Sequence, residues 1–201
     1  RDDDELAHAI AYADENAHPI NVSLAGATSA AGGRELGEVV DALRAARIDK
    51  PRGASIRARV DAVAADARFT DVAATLGRAS LDDVSGFAAR TYLAADDFAS
   101  LHMLTGAHAV RVLRPWTDDE RAADRALALA CLACFVVCGA PARADARGLP
   151  VADDRELTTR AIASSHDHVA KLVVACRDEE KACSDRIHRI VATRAVRRDR
   201  A

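Results

Sequence analysis

Apolar residues recur along this chain at intervals of three and four, the rhythm of one face of an α-helix. Leu6, Ile10 and Ala13 mark a helix over Asp4–Ala17, ending at His18-Pro19. Leu36, Val39, Val40 and Leu43 mark another over Arg34–Arg47, and Ile56, Val60 and Val63 a third over Gly53–Arg68. A short helix over Phe69–Gly77 is followed by helices over Leu81–Leu93 and Asp96–Arg114, the last ended by Pro115. Thr117, with Glu120 three residues on, has the form of a capping box opening a helix through Cys138, and Gly139-Ala-Pro stops it. Asp153–Ala163 precedes a break at Ser164-Ser165, and a last helix runs to about Val196. No run of alternating β-branched residues interrupts this rhythm. The expected fold is all-α, a single domain over residues 1–201 with about eight to ten packed helices.

Composition agrees with that reading. Half of the 201 residues are hydrophobic, so the chain can bury a core and is too apolar for a disordered one. Gly26–Gly33 reads as a loop without the Lys-Ser/Thr ending of a phosphate loop. A net charge of −3 gives no global field for nucleic acid. The acidic start (Asp2 to Glu5) and the arginine-rich end (Arg186 to Arg200) suit helix termini, and bases find no aromatic platform there. No apolar run is long enough to span a membrane, and five cysteines with an acidic beginning point to reduced thiols in the cytoplasm. The chain starts at Arg1 and its single methionine is Met103, so a processed or partial chain is expected.

Chemistry concentrates in two stretches. In Phe98–Leu113 the stripe Phe98, Leu101, Thr105, Ala109, Val112 and Leu113 is expected to face the core, with His102 and His108 on its two flanks. Imidazoles so placed suit general acid–base work near neutral pH, or are core histidines held by carbonyls. They stand six residues apart, too far round the helix for a shared metal. Gly106 within the helix suggests a close approach by another helix or a flat ligand. In the second stretch, periodicity buries His166 and turns Asp167 and Lys171 outward as an i,i+4 ion pair, with His168 at the border. Cys131, Cys134 and Cys138 share one helix face in apolar text and read as core packing, not as a metal site. No dinucleotide fingerprint or flavin motif is present.

Leu101-His-Met-Leu-Thr-Gly-Ala-His-Ala-Val-Arg111 resembles the LHxxTGxHAxR segment of questin oxidase-like proteins. Asp167-His-Val-Ala-Lys171 is similar to their later DHxxK segment, and Glu5–Tyr12 to an upstream ELAxAxAY stretch. The resemblance implies the C-terminal portion of a longer helical domain. It also implies NADPH-dependent, Baeyer–Villiger-type oxidation of a hydroxylated aromatic without flavin. In that family reading His102, His108, His168 and Asp167 would be catalytic, and Thr105, Arg111 and Lys171 would bind the substrate. The alternatives are a non-catalytic helical module with structural histidines and a metal-dependent helical hydrolase.

Overall fold

The computed structural model describes residues 33–198, so the expected helix Asp4–Ala17 and most of the Gly26–Gly33 loop lie outside the described residues. Among the described residues nine α-helices pack against one another: α1 Leu36–Ala45, α2 Ile56–Ala64, α3 Ala67–Ala73, α4 Leu81–Ala95, α5 Phe98–Leu113, α6 Glu120–Val137, α7 Asp154–Ala163, α8 Asp167–Cys183 and α9 Ile187–Arg198. Among the described residues there is no strand beyond one isolated backbone bridge, between Arg34 and Leu76. The all-α expectation holds.

Local chemistry places the helix starts. Ser55, Asp66, Asp97, Asp119 and Asp153 each accept a backbone N–H of the turn they open. Ser80 and Asp83 cap α4 reciprocally. Two boundaries depart from expectation for this reason. Asp66 starts a new helix inside the expected Gly53–Arg68 helix and divides it into α2 and α3. Asp119 rather than Thr117 caps α6, because the Thr117 hydroxyl donates back to the Leu113 carbonyl. The expected final helix is also two. Ser184 adopts a left-handed conformation (φ 54°), and the chain folds back there as α8 and α9.

Helix α5 is central: α4, α6 and α8 pack on it, while α9 packs on α4 and α8. The face α5 gives to these neighbours carries Ala99, Ser100, Met103, Leu104 and Ala107. The expected core stripe therefore lies on the wrong side. Phe98, Val112 and Leu113 keep 50, 50 and 55% of their surface exposed, Ala109 is also exposed, and Leu101 and Thr105 are half-buried. Ala99, Ser100 and Ala107 let three helices approach α5 closely around Met103 and Leu104, while Phe98, Val112 and Leu113 remain outside. On α4, buried Ser85 donates to His188 Nε2 of α9 at 2.8 Å, while His188 Nδ1 donates to the Asp185 carbonyl at 3.1 Å. This satisfies both polar side chains deep in the core.

The arginine-rich end is spent on internal pairing. Arg189 meets Glu180 and Asp154, Arg194 the Leu93 carbonyl and Asp96, Arg197 Glu156, and Arg198 Asp96. Among the described residues no helix is long and apolar enough to cross a membrane.

Candidate functional site

Helices α5 and α8 run parallel, and the expected site residues lie along their seam in two groups. At the N-terminal end Phe98 brings together two imidazoles from distant stretches of chain. Its ring centroid lies 4.4 Å from His102 and 5.1 Å from His168, each edge-on, and the two imidazoles are 6.1 Å apart. His102 Nδ1 donates to the Phe98 carbonyl at 2.8 Å, and His168 Nδ1 faces the Asp167 carboxylate at 2.9 Å. An acceptor on Nδ1 fixes the proton there in the neutral ring. Both Nε2 atoms therefore present a lone pair.

Asp167 also accepts from Lys171 Nζ at 3.0 Å, and that bond above all holds its carboxyl below the usual range. The ion pair is exposed, as the helical spacing alone expected, and does not line an enclosed cavity. Thr105 turns its hydroxyl to its own helix, donating to the Leu101 carbonyl at 3.3 Å. His166, expected in the core from its spacing, is exposed at the N-cap of α8, where its backbone N–H bonds to Ser164 Oγ.

The C-terminal end of the seam holds ions instead of rings. Arg111 donates Nε and Nη2 to the two oxygens of Glu179 at 2.8 and 2.9 Å, and Nη2 also reaches Asp82 at 2.8 Å. Glu179 is fully buried. Its hydrogen bonds raise the Arg111 pKa, and the Arg111 and Cys183 bonds to Asp82 outweigh burial there and lower that carboxyl. Burial leads the effects that push the Cys183 thiol up to about 12, so it rests as a thiol. His108 points to the same group. Its Nδ1 is buried without a hydrogen bond, 3.9 Å from Glu179 Oε1. His108 and Arg111 thus belong with Glu179, while His102, His168, Asp167 and Lys171 form the other group, about 9 to 14 Å away along α5.

Glu179 was not among the expected site residues. The signal for it was Arg111, a cation in an apolar helix that requires a buried acid. Gly106 is not demanded by packing: a Cβ there would meet only Leu127 Cδ1 at 3.8 Å, an ordinary contact. Cys131 and Cys134 are buried or nearly so and burial raises both thiols, Cys134 to about 11. Among the described residues, no three His, Cys, Asp or Glu side chains gather as a metal site.

An open groove of about 890 Å³ adjoins the ionic group, with Asp82 and Cys183 on its wall and Arg34, Arg78 and Arg143 around it. It does not reach the imidazole pair. Lys171, the nearest cation to that pair along α8, is committed to Asp167. No protein-family model, curated protein or solved structure matches the chain.

Proposed function

We propose that this protein is an oxidoreductase resembling questin oxidase, and that the His102–His168 pair is its acid–base centre. The reading is supported by one observation above all. The two segments carrying the resemblance, 66 residues apart, bring imidazoles to 6.1 Å beside the Phe98 ring with both Nε2 atoms available. A hydroxylated aromatic suits that environment. Phe98 offers its face to a flat ring. His102 Nε2 accepts the phenolic proton, and the Asp167 carboxylate steadies the His168 imidazolium that forms if the second ring takes it. Ionising the phenol enriches the ring toward attack on oxygen. In Baeyer–Villiger chemistry one oxygen atom of O₂ enters the bond beside a carbonyl and the other leaves as water. NADPH, named by the resemblance, supplies the two electrons when bound. Cytoplasmic residence belongs to the same proposal.

The test is oxygen consumption by the full chain with NADPH and a hydroxyanthraquinone. Turnover in the native protein, lost in His102→Ala and His168→Ala while helix content stays constant, is expected. Equal rates in all three overturn the reading. A non-catalytic helical module is the second reading. The Arg111–Glu179 pair favours it, because that pair explains one family-motif residue by structure alone.

A further inference from the structure

We propose that the trough between α4, the loop after α6 and the start of α9 binds a small organic anion, one with a flat apolar body and a phosphate or carboxylate head. Two hollows make up the trough. The groove of about 890 Å³ continues past Arg90, Arg143 and Asp185 into a second hollow of about 590 Å³, whose wall adds Arg147, Arg186, Ile187 and Ile190.

Charge places the head in the second hollow. Four guanidinium groups line it against two carboxylates, and both carboxylates are already answered by the protein. Asp185 accepts from Arg90 Nη2 at 3.3 Å and from the Ile187 N–H at 2.9 Å, and Asp145 accepts from Arg147 Nε at 3.2 Å. Arg143 and Arg186 are exposed and have no acceptor among the described residues. Arg186 stands apart from the run it opens, since Arg189, Arg194, Arg197 and Arg198 each reach a carboxylate. The unused hydrogen-bonding capacity of this hollow is therefore all donor, and guanidinium forks match phosphate and carboxylate oxygens. The far end of the groove differs: there Arg34 and Arg78 stand among Glu35, Asp82 and Asp83.

Two details hold the donors in place. Arg44 Nε donates to the Pro141 carbonyl at 3.0 Å, which ties the loop carrying Arg143 to α1. Gly86 is buried within α4, and a Cβ there would lie 2.8 Å from Arg90 Nη1, so the glycine leaves the space in which Arg90 folds back toward Asp185. The apolar body has its own surface beside them. Phe87 lines the groove one turn before Arg90, about 4.5 Å away along the helix axis. It is half-buried against Phe135, whose own ring is buried and lies beneath the Arg44 guanidinium, so Phe87 is the ring left open to a ligand. Head and body positions are thus contiguous and suit a molecule of naphthalene size. The trough is separate from the imidazole pair, so this binding does not depend on the acid–base reading and is measured without turnover.

The experiment is calorimetric titration of the full chain with naphthyl phosphate, with naphthoate, inorganic phosphate and naphthol in parallel. The expected result is saturable binding of an aromatic anion at least about tenfold tighter than inorganic phosphate or naphthol, and the tighter of the two anions identifies the head. Arg143→Ala and Arg186→Ala should each weaken it by about tenfold, because each removes a charge-assisted hydrogen bond. Gly86→Ala should weaken it while helix content is kept, a loss that a merely structural glycine would not give. Phe87→Leu, which keeps apolar volume, should weaken the aromatic anion by about threefold and leave inorganic phosphate unchanged. Arg155→Ala, at an exposed arginine of α7 outside the trough, should match the native chain. No saturable binding of either aromatic anion at millimolar concentration overturns the proposal. So does an equal loss in Arg155→Ala and Arg143→Ala, which makes the attraction one of net charge, and so does inorganic phosphate binding as tightly as the aromatic anions.

Discussion

The two ends of the α5–α8 seam use the same pair of helices for opposite purposes. At the C-terminal end Arg111 and buried Glu179 satisfy each other in two parallel bonds, with Asp82 and Cys183 closing around them. At the N-terminal end His102 and His168 are each held at one nitrogen only and leave the other open. Between the Arg111–Glu179 pair and the two imidazoles the difference is one of spare valence, although His108 Nδ1 at the closed end also lacks a bond. A group whose hydrogen bonds are all made positions a helix, whereas a group with one bond left over is able to do chemistry. Both ends contain residues that sequence analysis placed in a single site.

The largest effect should come from breaking the closed end. Arg111→Ala leaves the Glu179 carboxylate buried without its bidentate cation and should cost about 3 kcal/mol of unfolding free energy, measured by urea denaturation. A loss below about 1 kcal/mol would mean that the pair is solvated and the contrast between the two ends is false. At the open end, His102→Ala should change stability by no more than about 0.5 kcal/mol, since that ring is exposed. If the proposed chemistry is right, it should lower turnover by about 10²-fold or more.

Acid should distinguish the ends too. Asp82 has a lowered pKa in the folded protein, so its ion pair contributes fully above the unfolded carboxyl value near 4, and that contribution fades as pH falls through the folded value. The effect is small because Asp82 is more than half exposed. In Asp82→Asn, melting temperature should fall less between pH 5 and pH 3 than in the native chain; parallel curves would show that Asp82 is not part of the closed network. Between the ends a small gain is expected instead of a loss. Gly106→Ala should stabilise the protein by roughly 0.5–1 kcal/mol, because the added methyl finds ordinary space and the helix gains propensity. A loss of stability would mean that a close neighbour does require the glycine.

Much of the architecture is legible from spacing. Leu36, Val39, Val40 and Leu43 are the buried face of α1, as their rhythm indicates, and the break at Ser164-Ser165 separates α7 from α8. Helix α5 misled for a physical reason. The stripe was centred on Phe98, Leu101 and Leu113, but α4, α6 and α8 pack on the neighbouring face, where Met103 and Leu104 lie among the small Ala99, Ser100 and Ala107. His166 misled because periodicity assumes the helix already exists, whereas that residue sits where α8 begins. At the candidate site, the types and order of residues pointed to His102 and His168 together. Spacing alone could not divide them from His108 and Arg111. That division depends on how α8 lies along α5, a tertiary fact with no one-dimensional trace.

Where Arg34 bridges to Leu76, two glycines face each other: a Cβ on Gly33 would lie 2.4 Å from Gly77 Cα, and one on Gly77 would lie 2.8 Å from Gly33 C. Neither backbone can step aside without giving up the bonds that join them. In a saturation library those two codons should therefore stay invariant among folded clones, while Gly37, with nothing within 4 Å of its would-be side chain, should diversify freely.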